Sequence, residues 1–447
     1  MTESKQVAVG GRTSRNMLVA FVGNAFPPLV SLFSGPILAQ ALGVSGRGAV
    51  AAATAPFALV VAVVTLGVPE SVTYAVARAP HLARNVLDRG LWLLLGAGVV
   101  ATGLVFFASP TLSGQDPDVQ HLMLLAAFAI IPNMVVGALR GVASATNRWG
   151  TVTLQRMLGA VMKLVLLVPF WLTGNLTPVV ATVIIAAVPV LGAAPYVVML
   201  VRLPPRADEI PDEARTPALL SYGLRIWAGS VAGIMHARVD QVLVTPLAGT
   251  VQMGLYAVAV SIGELPLMIH TAVRDVNFVE EATGSQDARL ASTARISTLL
   301  TGTAAVGIGV TMIWWLPLLF GSDFSGAVPV TAILLAAAVV GTPGSIAGSA
   351  LSGRGRPGLR SLTLAFALVV NVALVLALVP PFGAIGAAWA TFGSMAAQGV
   401  ACIYLVHRLY GMRARAFFGV HREDLDVLVR FARRILAALR PRRGAAR

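Results

Sequence analysis

The sequence predicts an all-α integral membrane protein with about twelve transmembrane helices. Of its 447 residues, 57% are hydrophobic and only 12% are charged. A soluble domain carries about twice that charged fraction, so the chain has too few polar residues to cover a globule of this size. The mean hydropathy of +0.80 therefore favours a lipid-embedded protein over two or three soluble domains.

The apolar residues form segments long enough to cross a bilayer, which takes ~20 mostly apolar residues per helix. The first segment follows Lys5, Arg12 and Arg15. It is longer than the ~7–15-residue apolar core of a signal peptide, so we expect it to be retained as a span. The predicted spans lie near residues 17–40, 49–76, 90–109, 119–139, 151–173, 177–201, 217–245, 252–273, 296–319, 327–351, 358–379 and 384–406.

Basic residues in the loops predict the orientation. The loops on one side contain Arg47 and otherwise no Lys or Arg. The loops after the even-numbered spans are basic, with Arg78, Arg84, Arg89, Arg140, Arg148, Arg202, Arg206, Arg215, Arg274, Arg289, Arg295, Arg354, Arg356 and Arg360. This alternation places both termini in the cytoplasm, and we expect the protein in a bacterial cytoplasmic (inner) membrane. It also accounts for the net charge of +14, so a nucleic-acid partner is not expected.

A charged linker, 202–216, separates residues 1–201 from residues 217–406, and a basic tail, 407–447, follows. Similar residues recur in the two parts. Gly43 and Gly48 recur 206 residues later, and a second group recurs after 212 residues: Leu139, Gly141, Pro169 and Phe170 as Leu351, Gly353, Pro381 and Phe382. We therefore predict two parallel six-helix bundles, the first and second helix sets, around a central cavity.

The basic tail contains apolar residues at helical spacing. They are Leu425, Leu428, Phe431, Ile435 and Leu439, with arginines between them. This pattern predicts an amphipathic helix that lies on the anionic lipids of the inner leaflet. A frayed basic tail is the alternative.

Four stretches carry a resemblance to a known family. They are ALGVSGRGAVAAATAPF, ALRGVASATNR, VDQVLVTPLAGTVQMGLYAVAVSIGEL and ALSGRGRP. With them the chain resembles the polysaccharide (O-antigen type) flippases of the multidrug/oligosaccharidyl-lipid/polysaccharide exporter (MOP) superfamily, and it is also similar to lipid II flippases. The resemblance implies a V-shaped pair of bundles that moves an undecaprenyl-pyrophosphate-linked oligosaccharide from the inner to the outer leaflet by alternating access. It also implies glycan assembly proteins as partners.

Cations inside predicted spans are the candidate substrate ligands, because an ionisable residue at membrane depth costs ~2.5–3.5 kcal/mol. Arg156 and Lys163 lie seven residues apart in span five, on nearly one helix face, and Arg225 lies in span seven. Phosphate oxygens bind such groups through charge-assisted hydrogen bonds. We predict that these three residues hold the lipid pyrophosphate. Snorkelling to the head groups is the alternative for Arg156 and for Lys163.

Three further residues are candidates for energy coupling. His236 and Asp240 lie in span seven and Glu264 lies in span eight. We expect them to bind a proton or a sodium ion during transport. The alternative for the two carboxylates is a fixed ion pair with a neighbouring cation.

Motifs for chemistry are missing from the sequence. It contains no Walker A loop and no nucleophile-elbow or zinc-protease motif, and its single cysteine, Cys402, excludes an intramolecular disulfide. We therefore predict no enzyme and no cofactor. The alternatives to a glycan flippase are a cation-coupled small-molecule or drug exporter, a lipid II flippase and a membrane-embedded glycosyltransferase or polymerase. The last would need larger aqueous loops than these.

Overall fold

The computed structural model describes residues 2–209, 211, 215–284, 286–419, 421 and 423–424. These residues form helices and turns and contain no β-strand. The helices are α1 (Thr2–Val63), α2 (Val68–Arg78), α3 (Ala83–Leu112), α4 (Pro117–Ala127), α5 (Ile130–Ala145), α6 (Trp149–Leu172), α7 (Pro178–Leu191), α8 (Pro195–Val201), α9 (Thr216–His236), α10 (Val239–Thr283), α11 (Asp287–Phe320), α12 (Ala327–Gly353) and α13 (Pro357–Tyr410).

Three helices are far too long for one straight membrane crossing. α1, α10 and α13 contain 62, 45 and 54 residues, and a straight helix crosses the ~30 Å hydrocarbon core in ~20 residues. Each is broken at a glycine with positive φ, namely Gly43 (65°), Gly249 (83°) and Gly383 (55°). Glycine adopts this conformation at little cost because it has no Cβ. The breaks fall where the sequence predicts boundaries between consecutive spans.

The membrane architecture is confirmed. Within the described residues, 10 helical segments are long and apolar enough to cross a bilayer. Three of them, Phe26–Arg78, Val239–Met268 and Pro357–Tyr410, each contain one of the glycine breaks. The number of about twelve spans, the division into two six-helix bundles and the orientation stay predictions, so the two membrane sides are called predicted inner and predicted outer below.

Four predicted spans are interrupted rather than continuous. The interruptions separate α4 from α5 at 128–129, α7 from α8 at 192–194, α9 from α10 at 237–238, and also α1 from α2 at 64–67. Pro195 is the first residue of α8, a position that tolerates proline because its N–H would have no partner in the helix. The third interruption lies between His236 and Asp240. Helical spacing across it therefore does not decide which face these two residues share.

The first and second helix sets have separate cores on the predicted inner side. One core is built almost entirely from the first set, with Val76, Val86 and Leu139 among its members. The other belongs to the second set and includes Leu290 and Leu351. On the predicted outer side one core joins both sets, with Ala51, Ala52, Val119, Leu122 and Met123 packed together with Val244, Tyr256, Val330 and Ala387. The two sets are therefore joined more tightly at the predicted outer side.

Two glycines form reciprocal contacts at this outer junction. A Cβ on Gly48 would lie 1.8 Å from the carbonyl oxygen of Thr250, and a Cβ on Gly254 would lie 2.2 Å from the carbonyl oxygen of Val44. Gly48 and Gly254 are one of the pairs that recur 206 residues apart. Only a residue without a side chain permits these backbone approaches. We call this pair of contacts the outer seam.

The C-terminal segment follows α13 along the predicted inner side. A short 3-10 turn at Ala414–Phe417 places Phe417 in the inner core of the second set. Asp424 forms an ion pair with Arg295 of α11, with 2.6 Å between Nε and Oδ2. The predicted amphipathic helix of the tail lies outside the described residues.

Candidate functional site

Lys163 lies on α6 and has a second cation as its neighbour. Arg47, on α1 just after the Gly43 break, is close enough to act on it electrostatically. The Nε atom of Arg47 is buried without a hydrogen-bond partner, and neither side chain has a carboxylate partner among the described residues. The expectation that Arg47 lies in an outer loop is wrong. The first two spans are joined by the Gly43 break rather than by a loop, so Arg47 is already helical.

Arg156 lies one helical repeat nearer to the predicted inner side. Its electrostatic neighbours are Arg140 of α5 and Tyr196 of α8. Tyr196 is fully buried, and the Nε atom of Arg140 is buried without a hydrogen-bond partner. Seven residues of helix separate Arg156 from Lys163 by ~10 Å along α6. Arg140, Arg156, Lys163 and Arg47 therefore form a series of cations from the inner to the outer part of the first set, which we call the cationic column.

Sequence reasoning found only the middle of this column. Arg140 and Arg47 were assigned to loops because each lies near the end of an apolar segment. The hydropathy pattern alone does not show that α1 and α5 carry them against α6. A usable signal was that Arg47 is the single basic residue in the loops of the predicted outer side, where a cation has no topological role.

Arg225 lies apart from the cationic column. It is exposed on α9, and its guanidinium donates to the backbone carbonyl and the hydroxyl of Ser221 at 3.2 and 3.3 Å. It lines a cleft between α2 and α9 on the predicted inner side. The cations that act on Arg156 and Lys163 are Arg140 and Arg47 instead. The structure thus has Arg156 and Lys163 on one helix and places Arg225 in a different cleft, and the role of each stays a prediction.

Asp240 is the most enclosed of the three coupling candidates, with a side chain that is 5% exposed. The Tyr256 hydroxyl donates to its Oδ2 at 2.5 Å, and the Thr391 hydroxyl donates to the same oxygen at 3.0 Å. The backbone N–H of Gln241 donates to Oδ1 at 2.8 Å. Three donors from α10 and α13 thus satisfy a buried carboxylate without a cation.

His236 and Glu264 lie in different surroundings. His236 is within electrostatic range of Asp240, and its Nδ1 is buried without a hydrogen-bond partner. Glu264 is half-exposed and lies 3.4 Å from the guanidinium of Arg238. This ion pair corresponds to the alternative role for Glu264, a fixed pair with a neighbouring cation. Within the described ranges, no three His, Cys, Asp or Glu side chains are grouped as metal ligands.

Solved structures show which fold this is. The chain is similar to a lipid II flippase, MurJ, in an inward closed conformation, with 13% identity and a TM-score of 0.75 over 95% of this chain and 94% of that one. It is similar to an inward-facing multidrug resistance MATE-family transporter, with 15% identity and a TM-score of 0.70 over 88% and 98% of the two chains. An outward-facing MATE-family structure gives 17% identity and a TM-score of 0.61 over 90% and 96%.

The family is shown by a second comparison. The comparison with curated proteins found no match to the chain. Residues 13–275, more than half of the chain, match the family described as polysaccharide biosynthesis protein. The resemblance drawn from the four sequence stretches is therefore confirmed. The chain belongs to the polysaccharide biosynthesis protein family, and it has the fold of the solved lipid II flippase and of the MATE-family transporters of the MOP superfamily.

Proposed function

We propose that the chain is a flippase that moves an undecaprenyl-pyrophosphate-linked oligosaccharide from the inner to the outer leaflet of the bacterial cytoplasmic membrane. The observation that carries this proposal is the cationic column. Lys163 lies inside a predicted span and Arg47 lies beside it, with no carboxylate next to either in the described structure. Membership of a polysaccharide biosynthesis family supports the same conclusion.

A diphosphate is the ligand that the column lacks. Unpaired cations in a low-dielectric region are costly, and a bound anion offsets part of that cost. A pyrophosphate offers oxygens for several charge-assisted hydrogen bonds at once. Arg140 and Arg156 would receive it near the inner head groups, and Lys163 and Arg47 would receive it deeper. The polyprenyl tail would stay in the bilayer while the glycan crosses beside the column.

Alternating access fits the way in which the two helix sets meet. They share a core at the predicted outer side and keep separate cores at the predicted inner side. This state would load substrate from the inner leaflet, and opening of the outer seam would release it. Both termini would then be cytoplasmic, in agreement with the charge pattern of the loops.

Coupling to an ion gradient is assigned in this proposal to Asp240, with Glu264 and His236 as further candidates. A proton or a sodium ion at Asp240 would compete with the hydroxyls of Tyr256 and Thr391, which now bind its carboxylate. That competition gives ion binding a means to alter the packing of α10 on α13. Transport by an Asp240→Asn variant should accordingly lose its dependence on the gradient, and an unchanged dependence would exclude this residue.

The competing functions differ in the charge that their substrates carry. An exporter of organic cations is expected to line its cavity with carboxylates, whereas the column consists of cations. A lipid II flippase also moves a pyrophosphate, so the column is equally suited to that substrate. The similar solved structures are transporters and flippases, which favours transport over a glycosyltransferase or a polymerase.

Reversing the charge at Lys163 tests the proposal. In proteoliposomes, Lys163→Glu should lower translocation of a fluorescent undecaprenyl-pyrophosphate oligosaccharide by more than about tenfold, because charge-assisted contacts are the strong ones. Lys163→Arg should retain part of the rate. Arg408→Glu, which changes an exposed cation at the inner end of α13, is the matched control and should transport normally.

The outcomes separate the candidate functions. A normal rate for folded Lys163→Glu would contradict the role of the column. Should Lys163→Glu not fold, Arg47→Gln replaces it with the same expected loss. Lipid II and a fluorescent organic cation, offered to the same vesicles, show whether the substrate is the glycan lipid, a peptidoglycan precursor or a drug.

A further inference from the structure

A cleft of about 510 Å³ lies between α2 and α9 on the predicted inner side. It is separate from the cationic column. Its walls are mostly apolar, with Ala75, Leu82 and Ala218 among them, and two arginines complete the lining. Arg78 comes from α2 in the first helix set and Arg225 from α9 in the second. The cleft thus lies where the two sets meet on the side from which substrate would load.

Aromatic side chains fix one wall of the cleft. Tyr74 and Tyr222, one from each helix, are stacked with ring centroids 4.3 Å apart and planes 18° from parallel. The guanidinium of Arg78 lies over the Tyr74 ring at 5.2 Å and donates to the hydroxyl of that residue at 2.6 Å. These contacts hold Arg78 in one position, which reduces the entropy lost when it binds a ligand.

Both arginines keep donors free for a ligand. A guanidinium has five N–H donors. Arg78 uses one of them on Tyr74, and Arg225 uses two on Ser221. Neither has a carboxylate partner among the residues that the structure describes. An anion in the cleft would therefore find several unused donors on two sides.

Gly223, the residue after Tyr222 of the lining, forms a direct contact between the two helix sets. A Cβ on Gly67 would lie 2.2 Å from the carbonyl oxygen of Gly223. Next to this contact, the indole N–H of Trp227 donates to the carbonyl oxygen of Val63 at 2.6 Å. A ligand held by Arg78 and Arg225 would join the two sets at this point and stabilise the state seen here.

The lining identifies the chemical class of that ligand. Two arginines require an anion, and phosphate matches the planar guanidinium through paired hydrogen bonds. The apolar walls require a ligand that also carries hydrocarbon. Tyrosines and arginines are both typical of the head-group layer of a membrane. We propose that this cleft binds the phosphate head group of a lipid from the leaflet on the predicted inner side, with Arg78 and Arg225 as the ligands.

Lipid binding to the purified full-length protein tests this site. In native mass spectrometry, phosphatidylglycerol should bind the wild type about tenfold more tightly than the Arg78→Gln/Arg225→Gln double variant, since two charge-assisted contacts are lost. Arg408→Gln is the matched control. Arg408 lies over Tyr404 four residues earlier, at 5.8 Å, and donates to its hydroxyl, so it repeats the Arg78–Tyr74 pair without the cleft. It should bind lipid as the wild type does.

Further arms identify the source of the phosphate. Undecaprenyl phosphate in place of phosphatidylglycerol shows whether a polyprenyl carrier or a bulk phospholipid is the preferred lipid, and tighter binding of either supports the site. Inorganic phosphate that binds as tightly as both lipids would overturn the requirement for hydrocarbon. Equal lipid binding by the wild type and the double variant would overturn the site itself.

Two more variants show whether a loss of lipid binding is due to the cleft itself. Ala75→Phe keeps both arginines and fills the cleft, so it should also weaken lipid binding about tenfold, and it decides the question if the double variant does not fold. Normal binding to Ala75→Phe would contradict the proposal. Lys163→Gln should lose glycan translocation and keep lipid binding, which separates failure of this inference from failure of the proposed function.

Discussion

The two helix sets share a backbone plan and differ in how their charges are satisfied. Gly43 and Gly249 break α1 and α10 with nearly the same backbone angles, φ 65° and ψ −175° against φ 83° and ψ 176°. The first set then carries cations without carboxylates beside them in the described structure. The second set contains three groups of ion pairs: Arg238 with Glu264, Arg295 with Asp424, and Arg354 with Glu281 and Asp287.

The positions related by the repeat make the difference explicit. Met253 lies 206 residues after Arg47, and Val375 lies 212 residues after Lys163. Both are buried apolar residues, exposed by 1% and 0%. At these related positions the first set therefore has cations, whereas the second set has buried apolar side chains of its core. The difference implies that the repeat builds the scaffold and that the substrate site belongs to residues that break the symmetry.

The largest expected effect tests whether unpaired cations of the first set and ion-paired cations of the second set contribute differently to stability. Arg354→Met should lower the free energy of unfolding by about 3 kcal/mol, because it leaves the enclosed carboxylate of Glu281 without this partner. Lys163→Met should leave the stability unchanged or raise it, since it removes a costly unpaired cation. Thermal unfolding in detergent can be followed by a maleimide dye that reacts with the single cysteine, Cys402, which is buried in the fold.

The comparison would fail if both variants destabilised the protein equally. That result would mean that Lys163 has a structural partner like those of the second set. Lys163→Arg serves as the control in the same assay, because it keeps the charge and should unfold as the wild type does.

A smaller effect concerns the outer seam, which the two sets build symmetrically. Gly48→Ala and Gly254→Ala should both loosen the seam, because each new Cβ would clash with a backbone carbonyl of the other set. The effect should be larger at Gly48, where the approach is 1.8 Å against 2.2 Å. Cysteines at Ser45 and Thr250, whose hydroxyl oxygens are 3.4 Å apart, should cross-link several-fold more slowly in these variants.

A matched glycine controls for helix propensity in this test. A Cβ on Gly96 of α3 would meet nothing within 4 Å, so Gly96→Ala should leave the cross-linking rate unchanged. Opposite effects of Gly48→Ala and Gly254→Ala would show that the seam is not symmetric. Unchanged rates in both would show that the seam does not hold the outer side closed.

The sequence was sufficient for the features that depend on composition and spacing. Hydropathy predicted the membrane class. The recurrence of Gly43 as Gly249 marked two related positions, but only the structure shows that both are backbone breaks within continuous helices. It was insufficient for contacts between distant helices. Arg47 approaches Lys163 only because α1 packs on α6, and neither hydropathy nor helical spacing encodes that packing. Arg225 was grouped with Lys163 by charge and depth alone, and the structure places it in a different cleft.

The smallest expected effect concerns the paired charge of Asp424, which fixes the C-terminal segment to α11. Burial alone would raise the pKa of Asp424, but hydrogen bonds from Arg295 and Ser292 outweigh it and hold the pKa below its usual value of 3.8. A lowered pKa in the folded state means that the stabilisation is fully present above pH 3.8 and is lost as the pH falls through the lower folded value. The segment should therefore stay bound between about pH 8 and pH 5.

Replacing Asp424 by Asn should release this segment without affecting transport, because the ion pair lies outside the cationic column and the outer seam. The Arg295 guanidinium donates to both carboxylate oxygens, at 2.6 and 3.0 Å, and the Ser292 hydroxyl donates at 2.6 Å. Losing the charge should cost about 2 kcal/mol of local stability, visible as faster hydrogen exchange at residues 414–417. Release of the wild-type segment between pH 8 and pH 5, where Asp424 stays ionised, would show that the Arg295–Asp424 ion pair does not hold the segment.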